Sequence, residues 1–262
     1  MLVDSHCHLD YKPLNEHAAG AVKRAREAGV GRMLNIATTM RDFPQVRETA
    51  AAYDDVFCSV GVHPHHVGEE GESIAAADLV KLTEHPKVVG IGETGLDYFY
   101  NHATPEAQQN SFREHIRACI ATDLPLIVHS RDAEEDTARI IREERARRED
   151  KLRGVLHCFS SKRILAEEAL AMGFYVSLSG ILTFKRSQEL RDIARDVPLE
   201  RLLVETDSPY LAPEPFRGRP CEPAYVVHTA KVLAEVKGVS MAEIEARTTE
   251  NFFRLFSKVP PP

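Results

Sequence analysis

The sequence predicts a single (β/α)₈ barrel, and three observations predict it. Short apolar runs alternate with amphipathic ones from end to end, eight times over. Several of the apolar runs are nearly continuous Val, Ile and Leu, as in parallel strands covered on both faces. At 262 residues and 43% hydrophobic composition, the chain has the size of one such barrel and can bury a large core unaided. An open doubly wound sheet is the alternative, and no glycine-rich phosphate loop follows the first strand to support it.

The eight strand-like runs are Leu2–Asp4, Arg32–Ala37, Val56–Val62, Val88–Gly92, Leu126–His129, Gly154–His157, Tyr175–Ser179 and Leu202–Glu205. Between them lie helical stripes. Leu14, Ala18, Ala21, Val22 and Ala25 form one, closed by Gly29 after the last turn. Phe112, Ile116, Cys119 and Ile120 form another, entered through Thr104 with Pro105 at the first helical position. Asp132 followed by Glu135 reads as a capping box with Asp at the cap. Ser187 precedes the stripe Leu190, Ile193, Ala194 and Val197, and Val226 to Ala234 carries a stripe ending at Gly238. Ser240 with Glu243 three residues on opens the last helix. The charged stretch Arg142–Arg153 reads as an exposed helix face. No composition break, linker or internal repeat divides the chain, so one domain is expected over residues 1–258, with a frayed tail at 259–262.

The formal net charge is -7, which argues against a protein that binds duplex nucleic acid through a whole basic face. The five cysteines, Cys7, Cys58, Cys119, Cys158 and Cys221, are scattered and lack CxxC spacing. They read as free thiols of a reducing compartment. The chain opens directly on a strand, with no signal-like apolar core and no run approaching a membrane span. A cytoplasmic protein with no membrane partner is expected.

The chemistry lies in where the polar residues fall. Active sites of (β/α)₈ barrels form at the C-terminal ends of the strands. Here the first strand ends in Asp4-Ser5-His6-Cys7-His8 and the third in Gly61-Val62-His63-Pro64-His65. The fourth ends in Gly92-Glu93, the fifth in His129-Ser130-Arg131-Asp132, the sixth in His157-Cys158, and the eighth in Glu205-Thr206-Asp207. His6 and His8 are two apart, so an extended backbone points both to one side and turns Cys7 away. A lone histidine is more often a packed structural residue than a ligand, but a set recurring at one pole of five strands is not. Four imidazoles (His6, His8, His129 and His157) and two carboxylates (Glu93 and Asp207) exceed what one catalytic ion takes. Two divalent ions with one carboxylate between them would fit, and Mg, Mn and Zn all remain open.

The motifs DSHCHLD, GVHPH, GETGLDY, HSRDAEEDT, GVLHCFS, GFYVSLSG, ETDSPYLAP and TTENFFRLF run from Met1 to Phe256. On these the chain resembles the TatD family of metal-dependent deoxyribonucleases, among the amidohydrolase-like barrels. The resemblance implies one ion on His6, His8 and Asp207, a second on His129 and His157, and Glu93 bridging. It also implies that His63 donates a hydrogen bond to substrate and that Asp207 moves the proton of the attacking water. Glu205 either orients a ligand or forms a salt bridge inside the barrel. His65, Arg131 and Tyr98 are candidate contacts to substrate, and Tyr98 and Phe99 could stack on a base or simply pack on the rim. Arg131, Lys162, Arg163, Lys185, Arg186, Arg217 and Arg219 sit on loops at the same pole, as phosphate contacts or as a solvated rim. The chain departs from the family pattern at Cys221, where asparagine is expected, and at Ser161, where glycine is. Cys221 is expected to modify substrate grip.

The function implied is hydrolysis of DNA phosphodiester bonds in the manner of a 3′–5′ exonuclease, by a monomer acting on single-stranded DNA or a DNA end. Two readings compete with it. A related ester or amide hydrolase would use the same ligands, for example a D-aminoacyl-tRNA deacylase. A non-enzymatic binding scaffold would need none of them.

Overall fold

Residues 1–70, 74–147 and 152–261 are described by the structure, a computed structural model. Eight parallel strands form one sheet in sequence order: β1 (Leu2–Cys7), β2 (Val30–Asn35), β3 (Val56–Val60), β4 (Val88–Asp97), β5 (Leu126–Arg131), β6 (Gly154–Leu156), β7 (Tyr175–Leu178) and β8 (Leu202–Val204). The ring closes between β8 and β1 through a parallel bridge of Cys7 with Ser208. His8 N–H donates to Ser208 O at 2.7 Å and Asp207 N–H to His6 O at 2.9 Å. The predicted barrel is the observed fold.

The helices are α1 (Ala18–Glu27), α2 (Phe43–Ala51), α3 (Val67–Glu70), α4 (Ala76–Leu82), α5 (Pro105–Thr122), α6 (Glu134–Ala146), α7 (Arg163–Ala171), α8 (Gln188–Asp196), α9 (Val226–Lys237) and α10 (Met241–Leu255). Their apolar stripes cover the outer face of the strands, as in α1 with buried Ala21, Val22 and Ala25. None of the helices among the described residues is long and apolar enough to cross a membrane.

Inside the ring, one residue from each strand meets the others: Val3, Leu34, Phe57, Val89, Ile127, Val155, Tyr175 and Leu203. Phe252, Leu255 and Phe256 at the end of α10 join this cluster and plug the N-terminal end of the barrel. With that end filled by side chains, the cavity lies at the opposite pole, where the strands end. The plug corrects one expectation. Val259 is not part of a frayed tail: it is buried in the same cluster, and its N–H donates to Phe256 O at 2.9 Å.

The caps read from sequence divide. Thr104 accepts from Ala107 N–H and Ser240 from Glu243 N–H, so both begin their helices as expected. The Asp132 box does not form, because α6 starts one residue later on Ala133 with no side-chain cap, and Asp132 sits at φ 52°. Nor is Arg142–Arg153 a continuous exposed face. Helix α6 ends at Ala146, and Glu144 is buried, accepting from Arg113 at 3.0 Å and Arg117 at 3.3 Å. Residues 148–151 of that stretch lie outside the described residues.

Candidate active site

Glu93 lies at the centre of a cleft of about 990 Å³ at the C-terminal pole of the barrel. Its backbone position depends on two glycines. Gly92 and Gly95 both take φ 136°, and a Cβ would stand 2.5 Å from Ile127 O at the first and 2.0 Å from His129 O at the second. Only glycine permits this approach of β4 to β5. The fourth strand, expected to end at Gly92, continues through these glycines to Asp97.

The carboxylate of Glu93 divides the histidines. Its Oε1 lies 2.7 Å from His157 Nε2 and 3.2 Å from both His63 Nε2 and His129 Nδ1. Its Oε2 lies 3.3 Å from His6 Nε2 and 3.9 Å from His8 Nε2. On that second side Asp207 Oδ1 stands 3.5 Å from His8 Nε2 and 3.6 Å from His6 Nε2. The residues singled out in the sequence as ligands therefore converge around one carboxylate.

Other groups fix which ring nitrogen faces that carboxylate. His8 Nδ1 lies 3.2 Å from Ile36 O, His157 Nδ1 3.3 Å from Glu205 Oε1, and His129 Nε2 3.1 Å from Asp97 Oδ2. Each of these nitrogens donates its proton outward, which turns the other nitrogen toward the cluster, where once deprotonated it would offer a lone pair to a cation, as metal-binding histidines are held. Glu205 thus orients His157, and it also accepts from Cys158 N–H at 2.8 Å. Asp97 was not foreseen. It is fully buried, accepts the Phe99 and Tyr100 N–H groups on one oxygen, and offers the other to His129 and to His65 Nε2 at 2.7 Å. The GLDY motif contains it, but a strand expected to end at Gly92 does not place Asp97 on a face of the sheet.

Charges in the cluster reinforce one another. Burial alone would raise the Glu93 carboxyl, but the charge of His157 beside it and a hydrogen bond from His129 hold it well below the ordinary range. Burial alone would lower His157, but Glu93 and Glu205 hold it well above. His8, opposed by burial, is raised by Asp207 and Glu93, and His129 by Asp97 and Glu93. Burial dominates at His6, which is lowered, and at His63, pushed down to about 3. A neutral His63 accepts His65 N–H on Nδ1 at 3.1 Å, so its proton sits on Nε2 and can be donated.

A divalent cation fits this donor set. The buried carboxylates are held ionised by positive charge, which is what a cation supplies. His6 Nδ1 and His157 Nε2 are buried with no hydrogen-bond partner. Ligating atoms of His6, His8 and Asp207 lie within 4.8 Å of one another, as do those of His6, Glu93 and His157, and those of His63, His65 and His129.

A family model described as TatD related DNase matches residues 3–257. The chain belongs to the TatD family. It is 45% identical over 258 residues, 97% of this chain and 95% of the relative, to the uncharacterized metal-dependent hydrolase YcfH of Escherichia coli. It is 38% identical over 245 residues, 90% of this chain and 92% of the relative, to a protein of Erwinia tasmaniensis named 3′–5′ ssDNA/RNA exonuclease TatD. The crystal structure of YjjV, a TatD homologue from Escherichia coli, superposes with a TM-score of 0.90 at 30% identity, covering 99% of this chain and 98% of that one. The chain is a metal-dependent hydrolase of this family, with clusters of candidate metal ligands in its cleft.

Other sequence candidates fall differently in this TatD-family cleft. His65 and Arg131 line it, and so does Ser161, whose Oγ donates to Ser130 O at 3.0 Å. Tyr98 does not face it: its hydroxyl donates to Asp136 at 2.8 Å and accepts from Gln109, tying β4 to α5 and α6. Cys221 does not reach substrate either. It is wholly buried, burial pushes its thiol up, and its N–H donates to Pro209 O at 2.9 Å, so it anchors the loop after β8 from behind. Arg163 pairs with Asp196 at 2.6 Å, and Arg217 lies over the Phe184 ring.

Proposed function

We propose that this chain hydrolyses phosphodiester bonds of DNA from a 3′ end, holding one divalent ion on His6, His8 and Asp207 and a second on His129 and His157, with Glu93 shared. The observation that carries the reading is the division of histidines between the two oxygens of Glu93. The relative named 3′–5′ ssDNA/RNA exonuclease supports the substrate class. Divalent ions so held would make a water more acidic and offset charge on the phosphodiester oxygens.

The chain's own residues supply the rest. Asp207, beside His6 and His8 and facing the cleft, takes the proton of the attacking water and returns it to the leaving oxygen. His63 donates its Nε2 proton to a non-bridging oxygen, where negative charge grows. His129 and His157 are kept in one orientation by Asp97 and Glu205, so no reorganisation is needed as the reaction proceeds.

The test is an activity matrix on metal-stripped protein, crossing magnesium, manganese and zinc with labelled single-stranded DNA and a panel of esters that includes an aminoacyl ester. The expected result is metal-dependent release of nucleotides from the 3′ end. Turnover of esters with none on DNA would transfer the site to the ester-hydrolase reading. No turnover with any metal or substrate would favour a binding scaffold.

A further inference from the structure

The chain has 11 Phe and 7 Tyr, and of these, among the described residues, only Phe99, Tyr100 and Tyr210 are exposed, at 56%, 50% and 54%. All three stand at the mouth of the cleft. Tyr100 and Tyr210 line it directly, and Phe99 touches Tyr100 with ring centres 5.0 Å apart. Exposing aromatic rings is unfavourable unless something covers them, so their concentration at one place calls for an occupant.

Their positions around the ring specify its shape. Phe99 and Tyr100 follow β4, while Tyr210 follows β8. These strands are four places apart in an eight-strand ring, so the two aromatic surfaces face each other across the Glu93 cluster. Each surface runs down to that cluster through rings. On one side Tyr100 packs on His65 at 5.1 Å and His65 stands 6.1 Å from His129. On the other, Tyr210 packs edge-on to Tyr11 at 6.3 Å, and Tyr11 stacks on His8 at 4.8 Å. Positive charge accompanies the first surface: Arg131 lines the cleft with its guanidinium 4.0 Å from the Phe99 ring centre and 4.7 Å from that of Tyr100. The side near Tyr210 is completed by apolar Ile181 and Leu211.

We propose that Tyr100, backed by Phe99 and Arg131, and Tyr210 are two base-stacking platforms that hold unpaired nucleobases on either side of the phosphate to be cleaved. Arg131 lies over part of the Phe99 and Tyr100 rings and His102 stacks on Tyr100 with ring centres 5.8 Å apart, and the half of Tyr100 left exposed, like that of Tyr210, suits the bases of a single strand and favours no particular base. A duplex end has to fray before its bases reach the platforms. This inference rests on the nuclease reading and deepens it by naming what recognises the strand.

The experiment compares kcat and KM of the metal-loaded protein on a short oligothymidylate for the wild type and for Tyr100→Ala, Tyr210→Ala, Tyr100→Phe and Tyr210→Phe. Each alanine variant is expected to raise KM on the order of tenfold, the usual scale of one lost base stack, with kcat and metal content nearly unchanged. The phenylalanine variants keep the ring and should keep KM. Alanine variants with wild-type KM overturn the proposal while leaving the nuclease reading intact. So does a phenylalanine variant that loses as much as its alanine counterpart, or a fall confined to kcat. A wild type that does not act on oligothymidylate overturns both.

Discussion

Asp207 stands at φ 57°, in the left-handed region where a non-glycine residue is strained, and its N–H is held by His6 O at 2.9 Å. The backbone therefore aims this carboxylate at His8 and His6 whatever its charge. Asp207→Asn should leave the protein folded and partly metallated but lower kcat by ~10²-fold or more, the usual size of a lost proton acceptor. A change below about tenfold would make Asp207 a ligand only. Asp97 makes a separate prediction. Asp97→Asn keeps the shape but weakens the grip on His129 and His65, so metal affinity should fall roughly 10- to 100-fold, measured by competition with a chromogenic chelator. Unchanged affinity would show that Asp97 has no part in holding His129.

At the scale of elements, strand ends are legible where an apolar run stops abruptly, as in β6, β7 and β8, each of which ends within one residue of its expected end. They are not legible in β4, where Gly92 and Gly95 serve close packing and imitate a turn. A strand that ends at Gly92 leaves Asp97 without a place in the cleft. It also makes Tyr98 a substrate candidate, when the residue is turned toward α6. Cys221 misled for a related reason: a loop residue at a position where the family pattern changes reads as a contact, but sequence alone carries no depth, and this one is buried. The junction of β3 and α5 offers an element-scale prediction. Buried His115 accepts Val62 N–H on Nε2 at 2.9 Å and donates from Nδ1 to Ser111 O at 2.7 Å, which fixes the backbone leading into His63. Burial lowers His115 from 6.5 to about 4. Between those values the unfolded chain binds the proton and the folded one does not, so this contribution is full above 6.5 and declines as pH falls toward 4. In His115→Gln the urea midpoint should fall less steeply than in the wild type between pH 6.5 and 4. Parallel slopes would remove His115 as a source of the pH dependence.

Across the whole molecule, the barrel separates stability from chemistry by pole. The N-terminal end is closed by Phe252, Leu255, Phe256 and Val259 against one residue of every strand, and the cluster around Glu93 lies at the other end. Phe256→Ala should cost about 3–5 kcal/mol of stability, the range for a large aromatic lost from a core, and leave kcat unchanged at a temperature where the variant is folded. A loss of kcat with the thermal midpoint intact would deny that separation. The central claim is that Glu93 is shared between two cations, each with its own histidines. Anomalous diffraction from crystals of the protein grown with manganese measures this directly. The account predicts two peaks flanking the Glu93 carboxylate in the wild type, one beside His6, His8 and Asp207 and the other beside His129 and His157. A single peak, or peaks away from Glu93, would contradict it.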